Sequence, residues 1–250
     1  IDSEPLIIIS GQAITGQNTS KNLRQLGNKS VDIIRLVKNI TKYSVMVNNE
    51  LDLPYHLEKA IYLSKVDRPG PVWIDVPIDI MGKILNEDRA KHFSLSEFLN
   101  DNAYKNLQKD TVNVYRLINN SKKPILLIGY GIRLNNYQKQ ILDLIIKLKI
   151  PVLTSRRGSD LIDNNNKYYF GRPGVYGNRY SNFIIQKSDL LISIGSRLSI
   201  PLIGRKIGDF AKNAKKIIID VDKNELEKKT IKGDLKLNYS ANVFIDAMLR

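Results

Sequence analysis

Short apolar runs recur along the chain at residues 5–10, 43–47, 72–76, 125–129, 151–154, 190–194 and 216–220, with a weaker one at 235–237. Most are continuous rather than alternating. A strand carries apolar side chains on both faces when helices cover both sides of a parallel sheet. Helical spacing fills the gaps between the runs. Residues 31–37 show it. So does the segment opened by Asp52 or Leu53 with Pro54 in its first turn, whose inward face is Leu57, Ala60 and Ile61. Tyr137, Ile141, Leu144, Ile145 and Leu148 form one face of a further helix, and residues 241–248 form the last, capped by Ser240 or Asn242. Strand, helix and strand over 125–154 make a βαβ unit.

This repetition predicts an α/β protein of two doubly wound parallel-sheet units, the second Rossmann-like. Residues 1–85 form the first unit and 123–250 the second. Residues 86–122, charged, rich in asparagine and carrying one modest helix near 110–118, read as a linker. Nothing with a strand or helix pattern precedes the run at 5–10, so the chain is expected to begin inside a domain.

Composition narrows the chemistry. The 250 residues are 42% hydrophobic and 8% aromatic, enough for compact units with ordinary cores. No apolar run is long enough to cross a membrane and no signal peptide opens the chain, so a cytoplasmic location and no membrane partner are expected. With no cysteine there is no disulfide, thiolate metal site or cysteine nucleophile. His56 and His92 stand apart and read as surface histidines, so no metal site is expected. The formal charge of +14 comes from lysines scattered among asparagines and isoleucines, without aromatic residues interleaved, so no nucleic-acid partner is expected either.

In open α/β sheets, ligands bind outside the carboxyl ends of the strands. Those ends here carry Gly129 and Gly131, Thr154, Gly195 followed by Ser196 and Arg197, and Asp220. Glycine lets the backbone approach a phosphate, an arginine fork matches its oxygens, and an acidic side chain suits ribose hydroxyls. Asp220 reads equally well as a helix cap for the segment from Lys223 onward. Gly129-Tyr-Gly131 lacks the third glycine of the dinucleotide fingerprint. Residues 171–177, Gly-Arg-Pro-Gly-Val-Tyr-Gly, predict a loop that adopts positive dihedrals and approaches something closely, with a plain surface turn as the other reading.

Five segments, 68–77, 123–131, 171–177, 188–197 and 217–222, together resemble thiamine-diphosphate-dependent enzymes of the acetolactate synthase group. The resemblance implies that residues 1–85 are the later half of a pyrimidine-binding domain. The second unit would then be a central domain whose sheet holds FAD in some members and nothing in others. It places Arg68, Gly129, Gly131, Thr154, Gly174, Gly195, Arg197 and Asp220 along the flavin groove, and Gln12 beside the active site. The implied activity is a carboligase or decarboxylase, a transferase or lyase acting on a 2-keto acid such as pyruvate, with thiamine diphosphate and Mg²⁺. A homodimer or homotetramer follows, because that cofactor lies between subunits. The family's catalytic glutamate and its Gly-Asp-Gly metal motif match nothing in 1–250, so the isolated chain is expected to be a fragment without catalytic or metal residues, and inactive. Gly171-Arg-Pro-Gly174 replaces the family's Gly-Met-His-Gly, Ser199 and Pro201 stand where acidic and basic residues are common, Lys29-Ser30 replaces a Gln-Glu pair, and Ile78 replaces a lysine. The other reading of the residues is a non-catalytic dinucleotide-binding module.

Overall fold

The structure, a computed structural model, describes residues 3–17, 26–27, 30–97 and 104–250; Lys29 lies outside the described residues. The chain divides into two compact units, 1–100 and 101–250.

The first unit runs β1 (Leu6–Gln12), α1 (Ile33–Val37), β2 (Tyr43–Met46), α2 (Leu53–Lys65), β3 (Pro71–Pro77) and α3 (Ile78–Met81). Its sheet is parallel in the order β1-β3-β2, and β1 pairs with β3 from Leu6↔Pro71 to Gln12↔Pro77. Val47, Ala60, Val72, Ile74, Val76 and Ile80 form the core, with Leu53, Leu57 and Leu63 of α2 packed against it. Pro54 sits in the first turn of α2, where its missing N–H costs nothing. The run at 5–10 is not buried as its composition predicted. As an edge strand, β1 leaves Leu6 52% and Ile9 60% exposed among the described residues.

Residues 86–97, read as linker, are fastened to α2 instead. Glu58 accepts hydrogen bonds from the Phe93 N–H and from the His92 Nδ1, both at 2.8 Å, and the Lys91 N–H donates to the Leu51 carbonyl at 2.8 Å. Tyr55 donates to Glu97 at 3.0 Å. His56 is half-buried rather than a surface residue, with Nδ1 2.6 Å from the Tyr43 hydroxyl. Burial holds its pKa down, while burial and the nearby Tyr55 push Tyr43 up to about 12.

The second unit runs α4 (Leu107–Asn119), β4 (Pro124–Ile128), α5 (Gly131–Leu134), α6 (Gln138–Leu148), β5 (Val152–Thr154), α7 (Arg179–Lys187), β6 (Leu190–Ile194), α8 (Ile200–Ile203), β7 (Lys215–Asp220), α9 (Lys223–Glu227), β8 (Leu235–Asn238) and α10 (Ala241–Leu249). All five strands are parallel, in the order β5-β4-β6-β7-β8. Counted within the unit this is 2-1-3-4-5, a doubly wound order whose direction reverses between β4 and β6.

Alternate residues of each strand feed two cores. Leu126, Ile128, Ile192, Ile194, Ile217 and Ile219 pack with α4, α6 and α10, where Phe244 is fully buried. Ile125, Leu127, Leu153, Leu191 and Ile218 pack on the other side with Ile185 of α7, Leu202 of α8 and Phe210. Burial on both faces is why these strands lack alternation. Helix α4, which falls within the expected linker 86–122, buries Val114 and Ile118 in the first of these cores, and Tyr239 donates to its Asp110 at 2.7 Å. The packed unit therefore begins ahead of residue 123.

Candidate functional site

Four loops meet at the carboxyl edge of the second sheet, at the reversal between β4 and β6. Their first property is a main-chain contact. The Gly129 N–H donates to the Ile194 carbonyl at 2.9 Å, and the Gly131 N–H to the Gly195 carbonyl at 3.0 Å. Gly195, at φ +58, donates its own N–H to Ile219 at 3.0 Å. A Cβ on Gly129 would lie 2.1 Å from the Gly195 oxygen and 2.4 Å from the Ser196 Cα. The glycines do bring a backbone close to something, as expected, but that something is the neighbouring loop. Their amides are used within the sheet and form no ready cradle for a pyrophosphate.

Beside them, Thr154 is fully buried. Its N–H bonds the Gly171 carbonyl at 3.1 Å and its hydroxyl meets the Tyr169 hydroxyl at 2.9 Å. Ser196 is buried with its Oγ unbonded among the described residues, an orphan that costs stability unless a ligand or water satisfies it. Arg197 is 54% exposed along its side chain and donates through Nε to Glu225 at 2.7 Å; Glu225 also accepts from Lys228 at 2.7 Å. Asp220 Oδ1 accepts the Asp222 N–H at 2.9 Å, and Asp222 rather than Asp220 caps α9 by accepting from the Asn224 N–H at 3.0 Å.

The glycine loop has the positive dihedrals its composition predicted, and what it approaches closely is itself. Gly171 and Gly174 have φ +75 and +112, and a Cβ on Gly177 would lie 2.2 Å from the Arg172 oxygen. Its pins were missed. Asn182 of α7 accepts from the Gly174 N–H at 2.7 Å and donates to the Gly174 carbonyl at 3.1 Å, while Asn178 accepts from the Arg172 N–H at 3.1 Å. The Val175 N–H reaches Pro201 at 2.8 Å. The signal was two asparagines at i and i+4 directly after the last glycine, a spacing that puts both on one helix face. Arg157 adds a guanidinium stacked 3.8 Å from the Tyr130 ring centre.

Gln12 and Arg68 belong to the first unit, at opposite ends of its sheet. Arg68 precedes β3 and donates through Nε to Ser3 at 3.0 Å. Gln12 ends β1, where it is buried; its Nε2 donates to the Val31 carbonyl at 2.7 Å and to Asp75 Oδ2 at 2.8 Å, and its Oε1 accepts the Ala13 N–H. Asp75, also buried, accepts at Oδ1 from Ser10, which accepts from the Trp73 indole at 2.7 Å. This network was not read from the sequence, where Asp75 is one acid within an apolar strand.

Residues 112–248 match the family model for the thiamine pyrophosphate enzyme, central domain. The chain is 32% identical over 242 residues to the probable acetolactate synthase large subunit of Methanococcus aeolicus, covering 94% of this chain and 39% of that protein. It is 31% identical over 246 residues to the acetolactate synthase large subunit of Cyanidium caldarium, covering 95% and 41%, and 30% identical over 242 residues to the chloroplastic acetolactate synthase of Arabidopsis thaliana, covering 95% and 35%. The chain thus spans about two-fifths of the length of the curated relatives it matches. With more than half of its residues inside the family match, the chain belongs to the thiamine pyrophosphate enzyme central-domain family.

Proposed function

We propose that this chain serves in a thiamine-diphosphate-dependent, acetolactate synthase-like carboligase or decarboxylase acting on a 2-keto acid, with its second unit acting as scaffold rather than as flavin holder. The likeness to acetolactate synthase large subunits supports the first half. The observation that carries the second half is that the amides of Gly129, Gly131 and Gly195 are already given to the carbonyls of Ile194, Gly195 and Ile219, while the Gly129 and Gly195 backbones pack too closely to admit a Cβ. Thiamine diphosphate, when bound, supplies the carbanion stabilisation that lets a 2-keto acid lose CO₂. What the chain supplies near the chemistry is position. Gln12, with its amide fixed by Asp75 and the Val31 carbonyl, shapes the carboxyl end of the first sheet without moving a proton.

A flavin is the second reading, favoured by the orphaned Ser196 hydroxyl beside the Arg197 guanidinium. Adding FAD to the purified chain at about 100 μM, enough to fill a specific cofactor site, separates the two. Unchanged flavin fluorescence supports the scaffold. Saturable quenching that Ser196→Ala and Arg197→Ala each weaken contradicts it. The enzyme reading is tested on the protein as the cell makes it, tagged at its chromosomal copy. Acetolactate from pyruvate with thiamine diphosphate and Mg²⁺, in a native dimer or tetramer, is expected. Loss of no CO₂ from any 2-keto acid tried would overturn it, and the chain 1–250 alone is expected to form no acetolactate.

A further inference from the structure

The segment that follows α3 carries no buried side chain. It makes a 3₁₀ turn at Glu87–Arg89 and another at Leu95–Glu97, and every residue from 86 to 97 is exposed or half-buried. It nevertheless lies along one stripe of α2. Leu51 just ahead of that helix, then Tyr55, Glu58, Lys59 and Tyr62, follow at steps of three or four residues and so share one face. The Leu51 carbonyl takes the Lys91 N–H, Glu58 takes the Phe93 N–H, and the Phe93 ring lies against those of Tyr55 and Tyr62, with centroids 6.1 and 5.4 Å away. A segment with few buried apolar contacts and exposed hydrogen bonds opens at low free energy, ahead of the fold around it.

Charge holds it instead. Lys91 pairs with Asp52 at 2.7 Å, Lys59 approaches Glu97 at 3.7 Å, and at the centre His92 Nδ1 donates to Glu58 at 2.8 Å. The other groups around that centre have partners of their own. Tyr55 donates to Glu97, Glu50 is paired with Lys83, and His56 is turned to Tyr43, where burial holds its pKa down. Glu87, Asp88 and Arg89 stand exposed in the first turn. Lysine, arginine, aspartate, glutamate and tyrosine keep their charge state through the neutral range, whereas histidine does not. A neutral His92 can still donate to Glu58, but a charged donor holds a carboxylate more tightly. The bonds from His92 and then from the Phe93 N–H hold the Glu58 carboxyl below the ordinary range, so its contribution is present above the unfolded pKa and is lost as pH falls through the folded value.

We propose that residues 86–97 form a pH-responsive strap on α2, clasped at its centre by His92 and Glu58 and loosened when either of them changes charge. The clasp is tightest in the window where Glu58 has lost its proton and His92 has kept its own. On either side of that window the strap lifts more often and bares the stripe of α2 that carries Tyr55 and Tyr62. Lys91 and Glu97 keep their ion pairs across the neutral range, so the response is graded and centred on the middle of the strap.

The test is hydrogen exchange at the Phe93 and Lys91 amides of the native chain from about pH 3 to about pH 9, each rate compared with that of an unstructured peptide at the same pH. Protection at both is expected to peak inside the range and to fall about threefold on the alkaline side, the size of an exposed ion pair, with a further fall on the acid side. His92→Gln should remove the alkaline fall and keep the acid one, whereas Glu58→Gln should flatten both. The Lys91 N–H donates to the Leu51 carbonyl and not to Glu58, so its following Phe93 shows the strap moving as one piece. Amides of β3 should hold steady throughout. A flat profile in the native chain would mark a fixed surface contact and overturn the proposal. So would a constant Lys91 beside a varying Phe93, which confines the event to one side chain, and so would equal losses in β3, which show the unit unfolding as a whole.

Discussion

At the residue scale, the glycines at the strand ends owe their identity to each other. Gly129→Ala puts a methyl 2.1 Å from one backbone atom and 2.4 Å from another, and neither can swing aside as a side-chain tip would. We expect a loss of about 3 kcal/mol in the second unit, at the upper end of overpacking costs. Gly208→Ala, where a Cβ meets nothing within 4 Å, should change stability by less than about 0.5 kcal/mol. Urea unfolding of the two variants, with secondary structure as the probe, checks the contrast. The sequence marked Gly129, Gly131 and Gly195 as places of close approach, because glycine after an apolar run says that much. It could not say what approaches, since the partner loop lies more than sixty residues away in the chain.

Asp189 gives a pH-dependent expectation at the same scale. Burial opposes its charge, but the hydrogen bonds from Ser121, Lys122 and Lys123 prevail and hold its carboxyl below the ordinary range. A depressed carboxyl stabilises the fold above its unfolded pKa, and that contribution disappears as pH falls through the folded value. The native chain should therefore be more stable than Asp189→Asn near neutrality, with the gap closing as the solution is acidified towards pH 2. A gap that stays constant across urea midpoints from pH 7 to 2 would contradict this account.

At the element scale, the strands buried on both faces were the most legible feature. A continuous apolar run such as 190–194, too short for an ordinary helix and closed by a glycine, fits a strand covered on both sides. The weaker readings have physical reasons. Strand β1 has the composition of a buried strand but sits at a sheet edge, and position in a sheet is set by long-range pairing rather than by the run itself. Helix α7 was missed because Ser181, not an apolar residue, fills one of its buried positions, which blurs the 3.6-residue pattern. Its Asn182, with Asn178 at its cap, holds the glycine loop. Asn182→Ala removes an acceptor from the Gly174 N–H and a donor to its carbonyl, so hydrogen exchange at Gly174 should speed up by at least about tenfold while β6 stays protected. Unchanged exchange at Gly174 would show that the backbone alone shapes this loop.

At the scale of the whole molecule, chain order hid what parallel topology assembles. The lysines at 122–123, 149, 187, 212–215 and 232 recur at intervals of roughly twenty to forty residues and look scattered along the chain, yet each precedes or opens a strand and so comes to one edge. The same topology brings the loops after β4, β5, β6 and β7 to the other edge, and that end of the sheet was legible because strand ends are where such folds hold ligands. The family also was legible, since the matched segments occur in order along the chain. What stayed out of reach was the state of individual amides, which depends on how closely two loops approach.

Hydrogen exchange at Gly129, Gly131 and Gly195, read with and without FAD, tests most directly the claim that the second sheet is an interlocked scaffold. The account predicts slow exchange at all three in the free chain, as for core strand amides, and no change when FAD is added. Fast exchange in the free chain that slows on adding FAD would show amides open to a phosphate, and would contradict it.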